Sequence, residues 1–185
     1  MTENERSELM EIIRELSYEQ REVTLASGRK SNFYFDGKQT TLHPRGSVLV
    51  GKAFYKALEN FDATVDGVGG LTMGADPIAT AASLISSLEG TPIPAFIIRK
   101  EPKGHGTGQW LEGRKNVPPG SKVVIVEDVV TTGGSSMKAI ERAQAEGLEV
   151  LGVVTLVDRE EGGREFFEEN KVPFFAIFTK SQVAG

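Results

Sequence analysis

The sequence predicts an α/β fold with a doubly wound parallel sheet of the type in which helices cover both faces. From about residue 65 onward, short β-branched runs alternate with amphipathic segments. The run 123–126 has the continuous apolar character of a strand buried on both faces. Repeated strand–helix units of this kind indicate a doubly wound sheet. With 185 residues in all, we expect a single domain, 1–185, whose first 40 residues fit the alternation poorly and form a subdomain within it.

The N-terminal elements follow from local spacing. Leu9, Ile13 and Leu16 recur on one helical face and predict a helix over residues 4–17. The aromatic run 31–37 ends in a turn signal and predicts a strand. Pro44 suits the first turn of the next helix. We expect that helix to pack through an apolar face made of Val48, Leu49, Ala53, Phe54 and Leu58.

The remaining elements alternate along the chain. The predicted strands are 65–68, 93–98, 123–126, 150–157 and 174–178. A glycine-rich turn follows the first of them, helices are predicted over 76–88 and 133–146, and 100–113 is a long loop that contains several glycines.

Composition excludes several kinds of site. The chain contains no cysteine, so disulfides, thiolate zinc sites and cysteine nucleophiles are ruled out. With only His43 and His105, a three-histidine metal site is excluded as well, and we expect His43 to begin a helix or pack. The net charge of −5 argues against a basic nucleic-acid-binding surface. The polar, acidic start and the lack of long apolar runs predict a cytoplasmic protein without a signal peptide or membrane span.

The segment 123–136 carries the strongest functional signal. A buried strand runs into Glu127 and Asp128, and small and hydroxyl residues then lead into a helix. Backbone N–H groups at such a helix start bind phosphate, and glycines let the backbone close around the anion. Two carboxylates beside a phosphate site are compatible if the ligand is a sugar phosphate, whose hydroxyls donate to the acids. The alternative is that Asp128 and the threonines cap a helix on an ordinary surface loop.

The loop that begins at Arg99 is rich in both cations and glycine. Residues 99–115 contain five lysines or arginines against two glutamates, in a chain of net charge −5. A loop of this composition suits closure over a polyanion and exclusion of water. The alternative is a solvated surface hairpin.

Four segments together resemble one family. Residues 127–135, Glu-Asp-Val-Val-Thr-Thr-Gly-Gly-Ser, are similar to the phosphoribosyl pyrophosphate (PRPP) motif of type I phosphoribosyltransferases. The loop Arg99-Lys100-x-x-Lys103-x-His105 resembles that of orotate phosphoribosyltransferases, as do residues 26–36 and 157–159. The resemblance covers about residues 20–160, with the motifs in the expected order, and it implies that residues 1–40 form a hood over the sheet.

The resemblance implies a reaction and a set of binding residues. Orotate and PRPP would give orotidine 5′-monophosphate and pyrophosphate, in pyrimidine synthesis, with Mg²⁺ as cofactor held mainly through the pyrophosphate. The resemblance assigns PRPP binding to Arg99, Lys100, Lys103, His105, Glu127, Asp128, Val129, Val130, Thr131, Thr132, Gly133, Gly134 and Ser135. It assigns catalysis to Lys103, His105 and Asp128. It assigns orotate binding to Thr131, Arg159, Tyr34 and Phe35, although core packing is the alternative for the two aromatic residues.

The resemblance also implies a homodimer in which loop 99–113 completes the neighbouring subunit's site. The sequence departs from the family pattern at two lysines. Position 26 is Ala, and no lysine stands between Lys56 and Lys100. We expect backbone amides around Met73 and Gly74 to replace the lysine that precedes the second sheet helix, and Lys30 to replace the other.

Two other functions remain open at this point. A purine or uracil phosphoribosyltransferase would use the same PRPP motif, which does not identify the base. A regulator that senses PRPP and binds nucleic acid is the other alternative, although the acidic balance of the chain weighs against it.

Overall fold

The structure, a computed structural model, describes residues 1–24, 30–102 and 109–185. The α-helices of these residues are α1 (Glu3–Ile12), α2 (Lys38–Thr41), α3 (Pro44–Ala57), α4 (Ala75–Leu88), α5 (Gly134–Ala145), α6 (Gly163–Glu169) and α7 (Lys180–Ala184). A π-helical turn, Ile13–Ser17, continues α1, and a 3-10 turn, Leu58–Asn60, follows α3. The strands are β1 (Tyr18–Glu19), β2 (Val23–Thr24), β3 (Lys30–Ser31), β4 (Tyr34–Phe35), β5 (Gly67–Leu71), β6 (Ala95–Ile98), β7 (Leu111–Glu112), β8 (Lys122–Val130), β9 (Glu149–Asp158) and β10 (Phe174–Thr179).

The main sheet has the strand order β10-β9-β8-β5-β6-β7. Neighbouring strands are parallel except for β7, which runs antiparallel to β6. Alternate residues of β8 enter two different cores, since Val124 and Val126 pack with α3 and α4, and Val123 and Ile125 pack with α5. The predicted doubly wound sheet is therefore confirmed. Within the described residues, no helix is long and apolar enough to cross a membrane.

Two strand predictions were wrong at their ends. Strand β5 extends to Leu71, through glycines that were assigned to a turn. A β-carbon on Gly69 would lie 2.2 Å from the carbonyl oxygen of Phe96, so the glycine allows β6 to approach closely. Strand β8 extends to Val130, which places Glu127 and Asp128 inside the strand. The segment predicted as a continuous loop, 100–113, contains β7.

The N-terminal 40 residues contain elements separate from the main sheet. The predicted first helix is present as α1 and its π-helical continuation. The single strand expected over 31–37 is replaced by β3 and β4, which pair in two different two-stranded antiparallel sheets, with β2 and β1 respectively.

Helix α3 begins as predicted at Pro44. His43 is its N-cap, and Nδ1 of this residue accepts a hydrogen bond from the N–H of Gly46 at 3.2 Å. The expected apolar face is buried except for Val48, which is 39% exposed. The prediction for Val48 was wrong because, at 100° per residue, it lies on the side of the helix opposite the stripe that includes Leu49.

Candidate active site

A tight turn joins the carboxyl end of central strand β8 to helix α5. Gly133 is the N-cap of α5 and has φ +83°, a conformation that favours glycine. A β-carbon there would also lie 2.6 Å from the ring of Phe166. Asp128 lies inside β8 and Gly133 is the N-cap of α5, so the interpretation of Asp128 as a helix cap was wrong.

Residues 129–136 line a small cavity of about 90 Å³ at this turn. Thr131 is half-buried, Thr132 and Ser135 are exposed, and the first N–H groups of α5 lie at the same place. Amides at a helix start, supplemented by hydroxyl groups, provide donors for an anion. The geometry is that of a phosphate-binding turn.

Glu127 and Asp128 form a buried acid pair immediately before the turn. They are 7% and 8% exposed, respectively. The hydroxyl of Ser136 donates to Oε2 of Glu127 at 3.4 Å, whereas the N–H of Val129 donates to Oδ1 of Asp128 at 3.0 Å. The ammonium of Lys38 lies 4.0 Å from the Asp128 carboxylate.

Burial changes the protonation of this acid pair. It raises the pKa of Glu127 from its usual 4.5 to about 8, and the neighbouring charge of Asp128 adds to the increase. Burial also raises the pKa of Asp128, against the opposing effect of Lys38. A carboxyl pair that retains a proton can both donate to and accept from hydroxyl groups. Such a pair suits the vicinal hydroxyls of a ribose.

The turn between β5 and α4 packs directly on Asp128. A β-carbon on Gly74, in this turn, would lie 2.5 Å from Oδ1 of Asp128. Outside the turn, a β-carbon on Gly37 would lie 2.8 Å from the β-carbon of Asp128. The turn contains a cis peptide bond between Thr72 and Met73. The segment expected to replace the family lysine therefore lies beside the acid pair.

Arg159 follows strand β9 and lies next to the same turn. Its N–H donates to the carbonyl oxygen of Val130 at 2.9 Å, which brings it beside Thr131. The side chain is 8% exposed, and Nη2 donates to the carbonyl oxygen of Phe33 at 3.1 Å. Glu161 accepts from Nε of Arg159 at 3.2 Å. The guanidinium is therefore held in a fixed orientation between the sheet and the hood.

The aromatic residues of the hood have different environments. Phe35 is buried in the main core, and Tyr34 is half-buried beneath the guanidinium of Arg21, at 3.9 Å from the ring centre. Phe33, which the sequence analysis missed, lies 5.4 Å from the Arg159 guanidinium and 5.6 Å from the Lys180 ammonium. The period of two in a strand could have identified Phe33, because it places residues 33 and 35 on one face.

The predicted cations of the loop are only partly described. Arg99 forms an ion pair with Glu112 at 3.1 Å, and Lys100 is exposed. Lys103 and His105 lie outside the described residues, as does position 26. Lys30, expected to replace the second family lysine, is exposed and pairs with Glu22 at 2.9 Å.

A phosphate-binding turn that follows buried acids on the central strand of a parallel sheet is the arrangement of a phosphoribosyltransferase. The sequence model of the phosphoribosyl transferase domain matches residues 36–172. The relative from Nostoc sp., named orotate phosphoribosyltransferase, is 48% identical over 94% of this chain and 82% of its own length. A relative from Aquifex aeolicus with the same name is 48% identical over 86% of this chain and 85% of its own length.

Solved structures agree with these relatives. Orotate phosphoribosyltransferase of Mycobacterium tuberculosis H37Rv, crystallised with PRPP, aligns with a TM-score of 0.80 at 38% identity, covering 98% of this chain and 99% of that one. The chain belongs to the phosphoribosyltransferase family and, within it, to the orotate phosphoribosyltransferases. Adenine phosphoribosyltransferase of Leishmania donovani, at 16% identity and a TM-score of 0.66, shares the fold.

Proposed function

We propose that the protein transfers the ribose 5-phosphate group of PRPP to orotate, releasing pyrophosphate and forming orotidine 5′-monophosphate. The observation that carries this proposal is the direct succession of a buried acid pair and a phosphate-binding turn, with the Arg159 guanidinium beside them. The acid pair matches the ribose diol of PRPP, and the turn matches its 5′-phosphate. The guanidinium matches the carboxylate of orotate.

Each part of PRPP has its own partners in this proposal. The backbone amides of residues 129–135 hold the 5′-phosphate, and the hydroxyls of Thr131, Thr132 and Ser135 add donors. Glu127 and Asp128 accept from the ribose hydroxyls. Because Asp128 is fixed by close packing with Gly74 and Gly37, the ribose is held in one orientation while the bond at its C1 breaks.

In the same proposal, orotate binds next to the phosphate-binding turn. The positively charged guanidinium of Arg159 faces its carboxylate, and Thr131 contacts the ring. Tyr34 and Phe35 lie at the hood side of the ring. The fixed orientation of the guanidinium supports this role, because a preoriented group loses little freedom when it binds.

Charge stabilisation is the largest requirement of the reaction. The ribosyl C1 becomes oxocarbenium-like as pyrophosphate leaves, and negative charge develops on the departing group. Arg99, Lys100, Lys103 and His105 neutralise this charge, with Lys103 and His105 as catalytic residues together with Asp128. The concentration of cations in a chain of net charge −5 supports this assignment.

Mg²⁺ enters with the pyrophosphate group of PRPP in this proposal. Among residues 1–24, 30–102 and 109–185, no group of three or more histidine or acidic side chains could hold a metal. Mg²⁺ commonly takes most of its ligands from phosphates and water and only one or two from carboxylates, so the residues at this site fit a substrate-borne ion. Bound there, the ion supplies further positive charge for the leaving group.

The working unit is a homodimer in which loop 99–113 of one subunit completes the site of the other. An exposed apolar surface next to the active site supports this. It consists of Leu42, Met73, Leu84 and Leu88, which we call the leucine patch. Leu42, Met73 and Leu84 border a groove of about 490 Å³. The groove also contains Thr41 and Asp76, two residues in the described part of the chain with a buried side-chain oxygen that lacks a hydrogen-bond partner. A second copy would cover the apolar side chains of this surface.

The direct test is to mix the protein with PRPP, Mg²⁺ and orotate and to follow the loss of orotate absorbance, with a metal-free control. Magnesium-dependent consumption supports the proposal. Faster consumption of hypoxanthine, adenine or uracil than of orotate would overturn the base specificity. Tight, salt-dependent binding to nucleic acid without turnover would favour a regulator instead.

A further inference from the structure

Arg142 on α5 lies outside the site described above, yet its guanidinium contacts both ends of the segment that carries the loop cations. Its Nη1 donates to the carbonyl oxygen of Arg99 at 2.7 Å, and its Nη2 donates to that of Lys100 at 3.3 Å. Its Cζ lies 4.2 Å from the ring centre of Trp110. The N–H of Arg99 donates to the carbonyl oxygen of Trp110 at 2.9 Å. One side chain therefore spans the points where the chain leaves β6 and returns toward β7.

Only arginine can make this set of contacts. Its planar guanidinium has five N–H donors in a fixed fork, which can serve two successive carbonyl groups, and its flat face stacks on an aromatic ring. A lysine ammonium is a compact point charge and cannot reach both carbonyls while lying over the indole.

The position of Arg142 on its helix attaches the start of the loop to a rigid element of its own subunit. Helix α5 begins at the phosphate-binding turn, and Arg142 lies about 12 Å further along the same rigid element, at 1.5 Å per residue. The backbone from which Arg99 and Lys100 project is thus attached to the helix that begins at the phosphate turn.

We infer that Arg142 is a positioning residue that fixes Arg99 and Lys100 on their own subunit, from which loop 99–113 reaches the neighbouring subunit's site. This inference rests on the proposed role of those two residues in binding pyrophosphate. Arg142 contacts backbone carbonyls and an indole, and no reacting atom. Its effect on the reaction therefore passes entirely through the placement of the two cations.

The test uses R142A and R142K in the full-length protein. A displacement of about 1 Å in a charge-stabilising group can slow a reaction roughly 100-fold. We expect R142A to lower kcat about 10- to 100-fold and to weaken magnesium pyrophosphate binding about tenfold in calorimetry, with KM for orotate within about twofold. R142K keeps the charge but not the fork, so it should recover only a small part of either loss.

R114A is the matched control, because Arg114 also contacts the end of α5, through an ion pair with Glu146 at 2.6 Å. We expect it to leave kcat and pyrophosphate affinity within about twofold, as is usual for an exposed pair. Trp110 is the only tryptophan in the sequence, so its fluorescence reports on the contact itself. Its emission should change in R142A and R142K and stay unchanged in R114A.

The outcomes separate this inference from the proposed function. If the wild-type protein binds magnesium pyrophosphate but does not consume orotate, the proposed function fails, while the affinity ratio between R142A and wild type still decides the inference. Wild-type kcat and affinity in R142A would overturn the inference. Equal losses in R114A, or a wild-type protein that does not bind magnesium pyrophosphate, would overturn it too.

Discussion

Gly74 approaches Asp128 so closely that a β-carbon on the glycine would lie 2.5 Å from Oδ1 of the carboxylate. The glycine has φ −61° and ψ −40°, a helical conformation that alanine adopts without strain. G74A should therefore act only by displacing the Asp128 side chain. We expect kcat/KM for PRPP to fall about tenfold or more, because a ribose-binding acid would be misplaced.

A double-mutant cycle with D128A tests the cause of that loss. If G74A acts through the Asp128 carboxylate, it should have little further effect once that carboxylate has been removed. Steady-state kinetics on the two single variants and the double variant measure the coupling. Additive losses would mean that the turn around Gly74 acts on the ligand by another route.

Glu127 makes the stability of the ligand-free protein depend on pH. Burial and the charge of Asp128 raise the pKa of Glu127 from 4.5 to about 8. Between these values the folded protein keeps a proton that the unfolded chain releases, so stability falls as pH increases from about 5 to 8. E127Q cannot titrate, and we expect it to remove a decrease on the order of 3 kcal/mol across this range.

Urea unfolding at pH 5 and pH 8 measures the difference. E169Q is the control, since Glu169 is an exposed residue on α6. This variant should retain the wild-type dependence on pH. A decrease of the same size in wild type and E127Q would show that Glu127 is not the titrating group.

Arg159 should determine affinity for orotate without affecting affinity for PRPP. Its guanidinium is fixed by Phe33 and Glu161, and R159K removes the guanidinium that we assign to the orotate carboxylate. We expect KM for orotate to increase about 10- to 100-fold, since the guanidinium contact is lost, while PRPP binding in calorimetry stays within about twofold.

R164K serves as the control for this variant. Arg164 lies nearby on α6 and forms an ion pair with Asp158 at 3.3 Å, but it has no proposed contact with substrate. The control should leave both constants unchanged. An equal loss of PRPP affinity in R159K would indicate general damage to the end of β9 rather than loss of an orotate contact.

The sequence was sufficient for the parts of the fold that depend on local patterns. The β-branched runs predicted each parallel strand of the main sheet, and Pro44 predicted the start of α3. The end of β5 was missed because glycine is rare in strands, and the reason for Gly69 is a close contact with the backbone of β6. That contact exists only after the two strands pair.

In the candidate site, too, the sequence predicted the residues that are contiguous in the chain and missed those that come together only on folding. The succession of acids, hydroxyls and glycines over residues 127–135 indicated the phosphate turn, because its chemistry is contiguous in the chain. Lys38, Gly37 and Phe33 were missed because each reaches the site from the hood, 90 or more residues away in sequence from Asp128 or Arg159. No local spacing encodes such contacts.

The leucine patch should be required for both assembly and turnover. Leu84 and Leu88 lie one helical turn apart on α4 and are 60% and 75% exposed. L84E places a charge on this surface, and a buried charge without a partner would prevent association. We expect sedimentation to change from dimer to monomer and activity to fall by about tenfold or more, because loop 99–113 of the partner would no longer reach the site.

L16E is the control, since Leu16 is another exposed apolar residue, 38% accessible, outside the patch. It should keep the sedimentation and turnover of wild type. A monomeric L84E with full activity would mean that each subunit completes its own site, whereas a dimeric L84E would place the subunit interface elsewhere on the surface.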